Sequence, residues 1–270
     1  MKIALAIEYD GSAFRGWQAQ ACGQTVQNTL QQALAQVAQE NITTTAAGRT
    51  DAGVHAALMP VHFNSNAKRQ PSMWVRGCNS HLPATVKVLW AKPVQENFHA
   101  RYSAQRRYYQ YILLNRPTPP GLFANAIGYC HADLDVPAMR RAARSLRGEY
   151  DFSAFRAAAC QAKTSVRQLH YLRIRQRGQW IVFDFCGNGF LHHMIRNIVG
   201  ALLYVGRKRR SVPWLRELRL SGDRTLAPPT AAASGLYFNG ASYEQQHQLP
   251  SCYRPAPLPL AGSRSVQQVS

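Results

Sequence analysis

Apolar and polar residues alternate from the first residues of the chain. Across residues 2–9, Ile3, Leu5, Ile7 and Tyr9 share one face, and the run stops at Asp10-Gly11. This pattern predicts a strand and a turn. Over residues 25–38 the period lengthens: Val26, Leu30, Leu34 and Val37 form one stripe behind Thr25, a residue type that caps helices. Short β-rich pieces follow at residues 61–63 and 86–90, with a short helix predicted over 71–78 between them. Residues 107–114, RYYQYILL, read as a strong strand, and NRPTPPGLF after it as a loop. A second helix is predicted over 136–147, with Asp135 as cap, Pro137 in its first turn and Gly148 past its end. Residues 169–175 and 180–185 form a predicted hairpin around Arg177-Gly178. An almost wholly apolar helix is predicted over 191–205, closed by Gly206.

The order is strand, helix and strands, then strands, helix, hairpin and helix. That is an α+β pattern met twice, with one half over residues 1–104 and the other over 105–244. Residues 245–270 turn to Gln, Pro and Ser, too few of them apolar to offset the ordering entropy, and are expected to be a disordered tail. The longest uninterrupted apolar run, residues 198–205, is far short of the roughly 20 residues that span a bilayer. The apolar stretch after Lys2 is too short for a signal-peptide core. The six cysteines form no C-x-x-C pair and match no zinc spacing, which fits reduced thiols in a cytoplasmic protein. The sequence holds neither a P-loop nor a G-x-G-x-x-G fingerprint, so no nucleotide cofactor is expected.

Charge narrows the function. Lys and Arg number 32 against 13 Asp and Glu, a formal net charge of +19. Residues 101–210 alone carry 19 basic and 5 acidic side chains, a net +14. A field this concentrated attracts a polyanion, and phosphate neutralisation with counterion release makes nucleic acid the expected partner. Candidate contacts are Arg106 and Arg107, then Arg140, Arg141 and Arg144 along one helix, and the Arg207-Lys208-Arg209-Arg210 cluster.

Three places could hold chemistry. In AAGRTDAGVHA, residues 46–56, two glycines flank an Arg-Thr-Asp triplet, so a flexible loop presents Asp51. The same residues also fit an Asx-type turn in which Asp51 only bonds nearby backbone. Arg196 is the one charged side chain between Met194 and Val205, and a guanidinium on so apolar a helix needs an anionic partner. Asp51 is the candidate. Between Arg49 and Arg196 it would stay a carboxylate at neutral pH, suited to nucleophilic or electrostatic duty. Tyr109 and Tyr111 share a strand face beside Arg106 and Arg107, where a ring could stack on an unpaired base or simply pack a core. His192 and His193 lack the H-E-x-x-H pattern, and neighbours on a helix diverge by about 100°, so capping or core roles are expected and no metal site.

These motifs, YDGSAFRGWQAQ, TVQNTLQQAL, GRTDAGVHA, NSHLP, FHARYSAQRRYYQY, GNGFLHHMIRNIVGALLYVG and SGLYF, occur in an order that resembles the TruA family of tRNA pseudouridine synthases. The resemblance runs from residue 3 to about 243. It implies a pseudouridine synthase fold, two similar α+β halves forming an extended, mainly antiparallel sheet around a basic cleft. It also implies a homodimer that isomerises uridines at positions 38 to 40 of tRNA without metal or cofactor. The family's catalytic Asp falls on Asp51, its active-site Tyr on Tyr109 and its buried Arg on Arg196. The uracil-pocket Leu falls on Leu236, and the arginine that grips a flipped nucleotide falls on Arg49. Two departures stand out. Ala57-Leu58-Met59-Pro60 replaces the family's Gly-Gln before its Val-Val-His-Phe strand, and Cys186 stands where Ala is common. A non-catalytic RNA-binding module would explain the charge and the tyrosines, though not an acid set against two arginines. A metal-dependent nuclease would lack the additional carboxylates that Mg²⁺ sites draw on.

Overall fold

The structure, a computed structural model, describes residues 1–21 and 23–256. Its frame is a single mixed sheet of ten strands: β1 (Lys2–Tyr9), β2 (Thr44–Ala46), β3 (His55–Asn64), β4 (Val86–Val94), β5 (Arg106–Asn115), β6 (Gly128–Cys130), β7 (Gly148–Asp151), β8 (Val166–Arg177), β9 (Trp180–Gly187) and β10 (Leu236–Ser242). The main path runs β4-β1-β3-β10-β5-β9-β8-β7, with β2 beside β3 and β6 beside β5. Every pairing is antiparallel except β10 with β3 and β5 with β6. The fold is thus α+β with an extended, mainly antiparallel sheet.

Among the described residues five α-helices accompany the sheet: α1 (Val26–Ala38), α2 (Pro71–His81), α3 (Val136–Ala143), α4 (Met194–Gly206) and α5 (Trp214–Ser221). The alternating residues Ile3, Leu5 and Ile7 of β1 share one continuous core with Leu30 and Leu34 of α1, Phe183 and Phe185 of β9, and Ile198 and Leu202 of α4. Thr25 caps α1 by accepting the Asn28 N–H at 3.2 Å, and Asp135 caps α3 by accepting that of Ala138 at 2.8 Å. The helix expected to reach residue 147 stops at Ala143 and tightens into a 3₁₀ turn over Arg144–Leu146.

One strand determines where the site forms. β10, late in the chain, lies between β3 and β5 and joins them into one sheet. Phe238 is registered against Ala56 on one side and Tyr109 on the other. The loop that ends at β3 carries Asp51, so it arrives beside the Tyr109 strand.

Two expectations change. The strand predicted over 61–63 extends back to His55 despite Pro60. That proline falls between the stretch paired with β10 (His55 and Ala56) and the stretch paired with β2 (Val61 to Phe63), and its carbonyl accepts the Ala47 N–H at 2.8 Å. Residues 245–256, expected to begin a disordered tail, are packed. Ala256 is buried and donates its N–H to Gln110 Oε1 at 2.8 Å, while the Arg254 carbonyl accepts from Asn239. Backbone bonds to the sheet supply the order that apolar content could not. Residues 257–270 of that tail lie outside the described residues.

Candidate active site

The loop carrying Asp51 is held from several sides. Trp17 donates its N–H to the Thr50 carbonyl at 3.0 Å, and the Tyr9 and Thr50 hydroxyls are 2.8 Å apart. Gly16 makes the close approach possible: its φ is +92°, and a Cβ there would sit 2.7 Å from the Thr50 oxygen. Behind the loop, a Cβ on Gly48 would lie 3.2 Å from the Phe238 ring and 3.6 Å from the Tyr109 hydroxyl. The backbone of the Asp loop therefore rests directly on those two rings.

Three cationic or titratable groups meet the Asp51 carboxylate. Arg196 donates from Nη1 to Oδ2 at 3.0 Å and from Nε to the Ala231 carbonyl at 2.9 Å. His192 Nε2 is 3.2 Å from Oδ1 and His193 Nε2 is 3.4 Å from Oδ2. The Arg196 and Asp51 side chains are 15% and 18% exposed, so the pair is shielded yet open on one side. Arg196 is positioned by α4, whose first turn is fixed by Asn197. Its amide donates to the Phe155 carbonyl, and its Oδ1 accepts from Arg224 and Thr230.

The convergence of the two histidines corrects the expectation for them. They precede α4, and His193 has a left-handed backbone, φ +62°, so the 100° divergence of helical neighbours does not apply. Their rings lie 4.1 Å apart and face the same carboxylate. With Asp51 they offer three ligand-type atoms within 4.8 Å of one another. Burial lowers the His193 pKa below its ordinary value against the pull of Asp51, reinforced by His192, Arg196 and Arg224. A turn of this kind leaves no periodic signal, so spacing alone could not reveal it.

Around this centre lies a cleft of about 1370 Å³, larger than the roughly 300–1,000 Å³ of small-molecule pockets. Arg15, Arg49, Arg101, Arg107, Arg167 and Arg196 line it, and among the described residues its only acid is Asp51. Tyr109 and Leu236 also line it, both almost buried. The Tyr109 ring is held edge-on between Phe190 at 5.1 Å and Phe238 at 5.0 Å, and burial raises its phenol pKa.

Other candidates move. Arg49 lines the cleft and is exposed, but among the described residues the side chains paired with the Asp51 carboxylate are Arg196 and the two histidines. Tyr111 is 1% exposed and packs against Phe183 as core, so it does not face substrate. Arg107 borders the cleft, yet its donors go to the Ala47, Ala104, Asn188 and Arg101 carbonyls. It ties the Asp loop to the segment before α4 instead of offering a free phosphate contact. Arg106, one residue earlier, falls on the opposite sheet face, as does Tyr108, whose ring packs on Tyr253. The Arg207–Arg210 cluster follows the far end of α4, about 15 Å of helix beyond Arg196. There Arg207 donates to Cys130 Sγ, Arg209 lies over Tyr204 and Arg210 over Trp214. Arg140 is partly spent on the Ile174 carbonyl.

The family model described as tRNA pseudouridine synthase matches residues 5–103 and 142–244. A tRNA pseudouridine synthase A from Chromobacterium violaceum is 51% identical over 261 residues, covering 96% of this chain and 100% of its own. Those of Dechloromonas aromatica and Thiobacillus denitrificans are each 50% identical, covering 93% of this chain and 95% and 96% of their own.

Proposed function

The chain belongs to the tRNA pseudouridine synthase family, and from that premise we propose that Asp51 is the carboxylate that reacts when it isomerises uridine. The enzyme is an isomerase whose substrate is tRNA; the sites we assign are positions 38, 39 and 40 of the anticodon arm. One observation carries the assignment: among the described residues Asp51 is the only acid lining an arginine-rich cleft, held there by Arg196 and two imidazoles.

The chemistry asks for little else. The N1–C1′ bond breaks, uracil rotates, and C5 bonds to C1′. The C5 proton is lost, its electron pair restores the C5=C6 double bond, and N1 takes up a proton. Nothing is oxidised or reduced, so no redox cofactor is needed. A carboxylate can serve by attack on the ribose or on the uracil ring. Arg196 orients it, and the histidines limit its rotation. The target base must leave its stack to reach it. Leu236 and Tyr109 offer an apolar wall for the uracil, and Arg49, exposed at the cleft, is the candidate grip on the displaced nucleotide. The 207–210 cluster would serve only RNA lying farther from the centre.

Among the described residues no helix is long and apolar enough to cross a membrane. We assign the enzyme to the cytoplasm and to a homodimer, which light scattering would test by mass. The activity is tested by incubating unmodified tRNA with enzyme alone, with and without chelator, and mapping pseudouridine. Product at 38–40 in both reactions is expected. Product elsewhere would overturn the site assignment, and loss of product with chelator would give the Asp51–His192–His193 cluster a metal role.

A further inference from the structure

Tyr102 has no part in the chemistry above, yet the structure spends many bonds on presenting it. It is 77% exposed, a costly place for a large aromatic ring, and it lines the same cleft as Asp51. The backbone beneath it is pinned at nearly every residue. The Arg101 and Tyr102 N–H groups both donate to His99 Nδ1 at 3.1 Å, and Ala100 donates to His62 Nδ1 at 3.1 Å. Ser103 closes the turn, donating its N–H to the His99 carbonyl and accepting the His99 N–H at its hydroxyl. The Ala100 carbonyl accepts from Tyr243, the Arg101 carbonyl from Arg107, and Phe98 is fully buried below. An exposed side chain on a rigid turn loses little entropy when it binds.

The ring keeps most of its surface open. One face stacks on His99, with centroids 4.3 Å apart and planes 26° from parallel, and the Arg101 guanidinium lies 5.6 Å from the Tyr102 centroid. That stack fixes the ring and leaves its other face without an aromatic partner among the described residues. What surrounds it sets the chemistry of the occupant. Arg15, Arg49, Arg101 and Arg167 line this cleft, so an apolar protein segment would have to desolvate arginines to dock. A flat π-face carried on a polyanion fits both features at once: an unpaired nucleobase with its phosphates.

We propose that Tyr102 forms a second nucleobase subsite at the cleft, stacking an unpaired base that flanks the uridine delivered to Asp51. The proposal rests on the reading of this cleft as the anticodon-loop site. It gives the enzyme a fixed point from which the register of the target along the loop is measured.

The test uses anticodon stem-loop RNAs carrying 2-aminopurine at successive loop positions, bound to Asp51→Asn enzyme so that no turnover occurs. One flanking position should lose fluorescence on binding when residue 102 is Tyr, Phe or Trp, and keep it in Tyr102→Ala. The Ala variant should bind on the order of ten- to a hundredfold more weakly, the value of one base–aromatic stack, with Phe and Trp close to wild type. Equal affinity and equal fluorescence for Tyr and Ala would overturn the subsite. So would a change in the number of subunits per assembly in Tyr102→Ala, which would make the ring a protein–protein contact. A parallel reaction with unsubstituted enzyme separates the two levels. Absence of pseudouridine there removes the reading of the cleft and the subsite together, whereas failure of the Tyr102 arms alone removes only the subsite.

Discussion

Arg196→Met removes the guanidinium that joins α4 to the Asp loop. Two bonds are lost, the 3.0 Å pair with Asp51 Oδ2 and the 2.9 Å bond to the Ala231 carbonyl. Breaking a buried ion pair from one side costs about 3–5 kcal/mol. Here both partners keep some solvent, at 15% and 18% exposure, and two imidazoles still face the carboxylate, which brings that part down to about 2 kcal/mol. The unmade bond at Ala231 adds about 1 kcal/mol. A loss of about 3 kcal/mol should lower Tm by roughly 6–12 °C. Activity should fall further than stability accounts for, on the order of a hundredfold at a temperature where the variant stays folded, because the carboxylate is no longer held in one orientation. Arg196→Lys keeps the charge but cannot span Asp51 and Ala231 with one planar fork, so it should fall between the two. Thermal melts and single-turnover pseudouridine formation on the same preparations decide it. A Tm within 2 °C of wild type together with a rate within threefold would show that the pair neither holds the fold nor orients the acid.

Arg107→Met should lower stability by about 2 kcal/mol through its lost carbonyl contacts and leave the salt dependence of tRNA binding as it was; a salt slope smaller by about one would place this arginine on a phosphate instead. Tyr109→Phe should melt like wild type but turn over more slowly, while Tyr109→Ala, opening space between Phe190 and Phe238, should lose about 3 kcal/mol and nearly all activity; equal rates in all three forms would make the ring packing alone. Burial, then the neighbouring His99 and Lys2 charges, lowers the His62 pKa to about 4. The fold therefore favours the neutral imidazole. Its contribution is complete above the unfolded value of roughly 6.5 and is lost as pH falls from there toward 4. Tm should drop over that window and drop less in His62→Asn; identical pH slopes would refute the assignment.

The parts of this protein legible in the sequence are those governed by a period or by a local cap. The β1 alternation, the α1 stripe behind Thr25 and the Asp135 cap all stand where the pattern puts them. Arg196 was legible for a different reason: a single charge on an apolar helix demands a partner, and acids are scarce. The rest depended on tertiary placement. β10 carries an ordinary short run, and its insertion between β3 and β5 has no local signature. α5 is only eight residues long, and its apolar contribution is two buried leucines, Leu215 and Leu218. Charge counting treated Arg106 and Arg107 alike, although strand alternation separates their faces and Arg107 is spent on carbonyls. The histidine pair leaves no such signal because a left-handed residue at the helix entry turns both rings toward Asp51, and backbone handedness at a non-glycine position is not written in residue type.

The role of Asp51 is tested most directly by Asp51→Asn on unmodified tRNA. The amide preserves the shape of the side chain, so a matched melt and tRNA affinity establish that the loop and cleft persist. If Asp51 is the reacting group, single-turnover pseudouridine formation should fall by about three orders of magnitude or more while tRNA still binds. Turnover within tenfold of wild type in a folded, tRNA-binding variant would remove Asp51 from the chemistry.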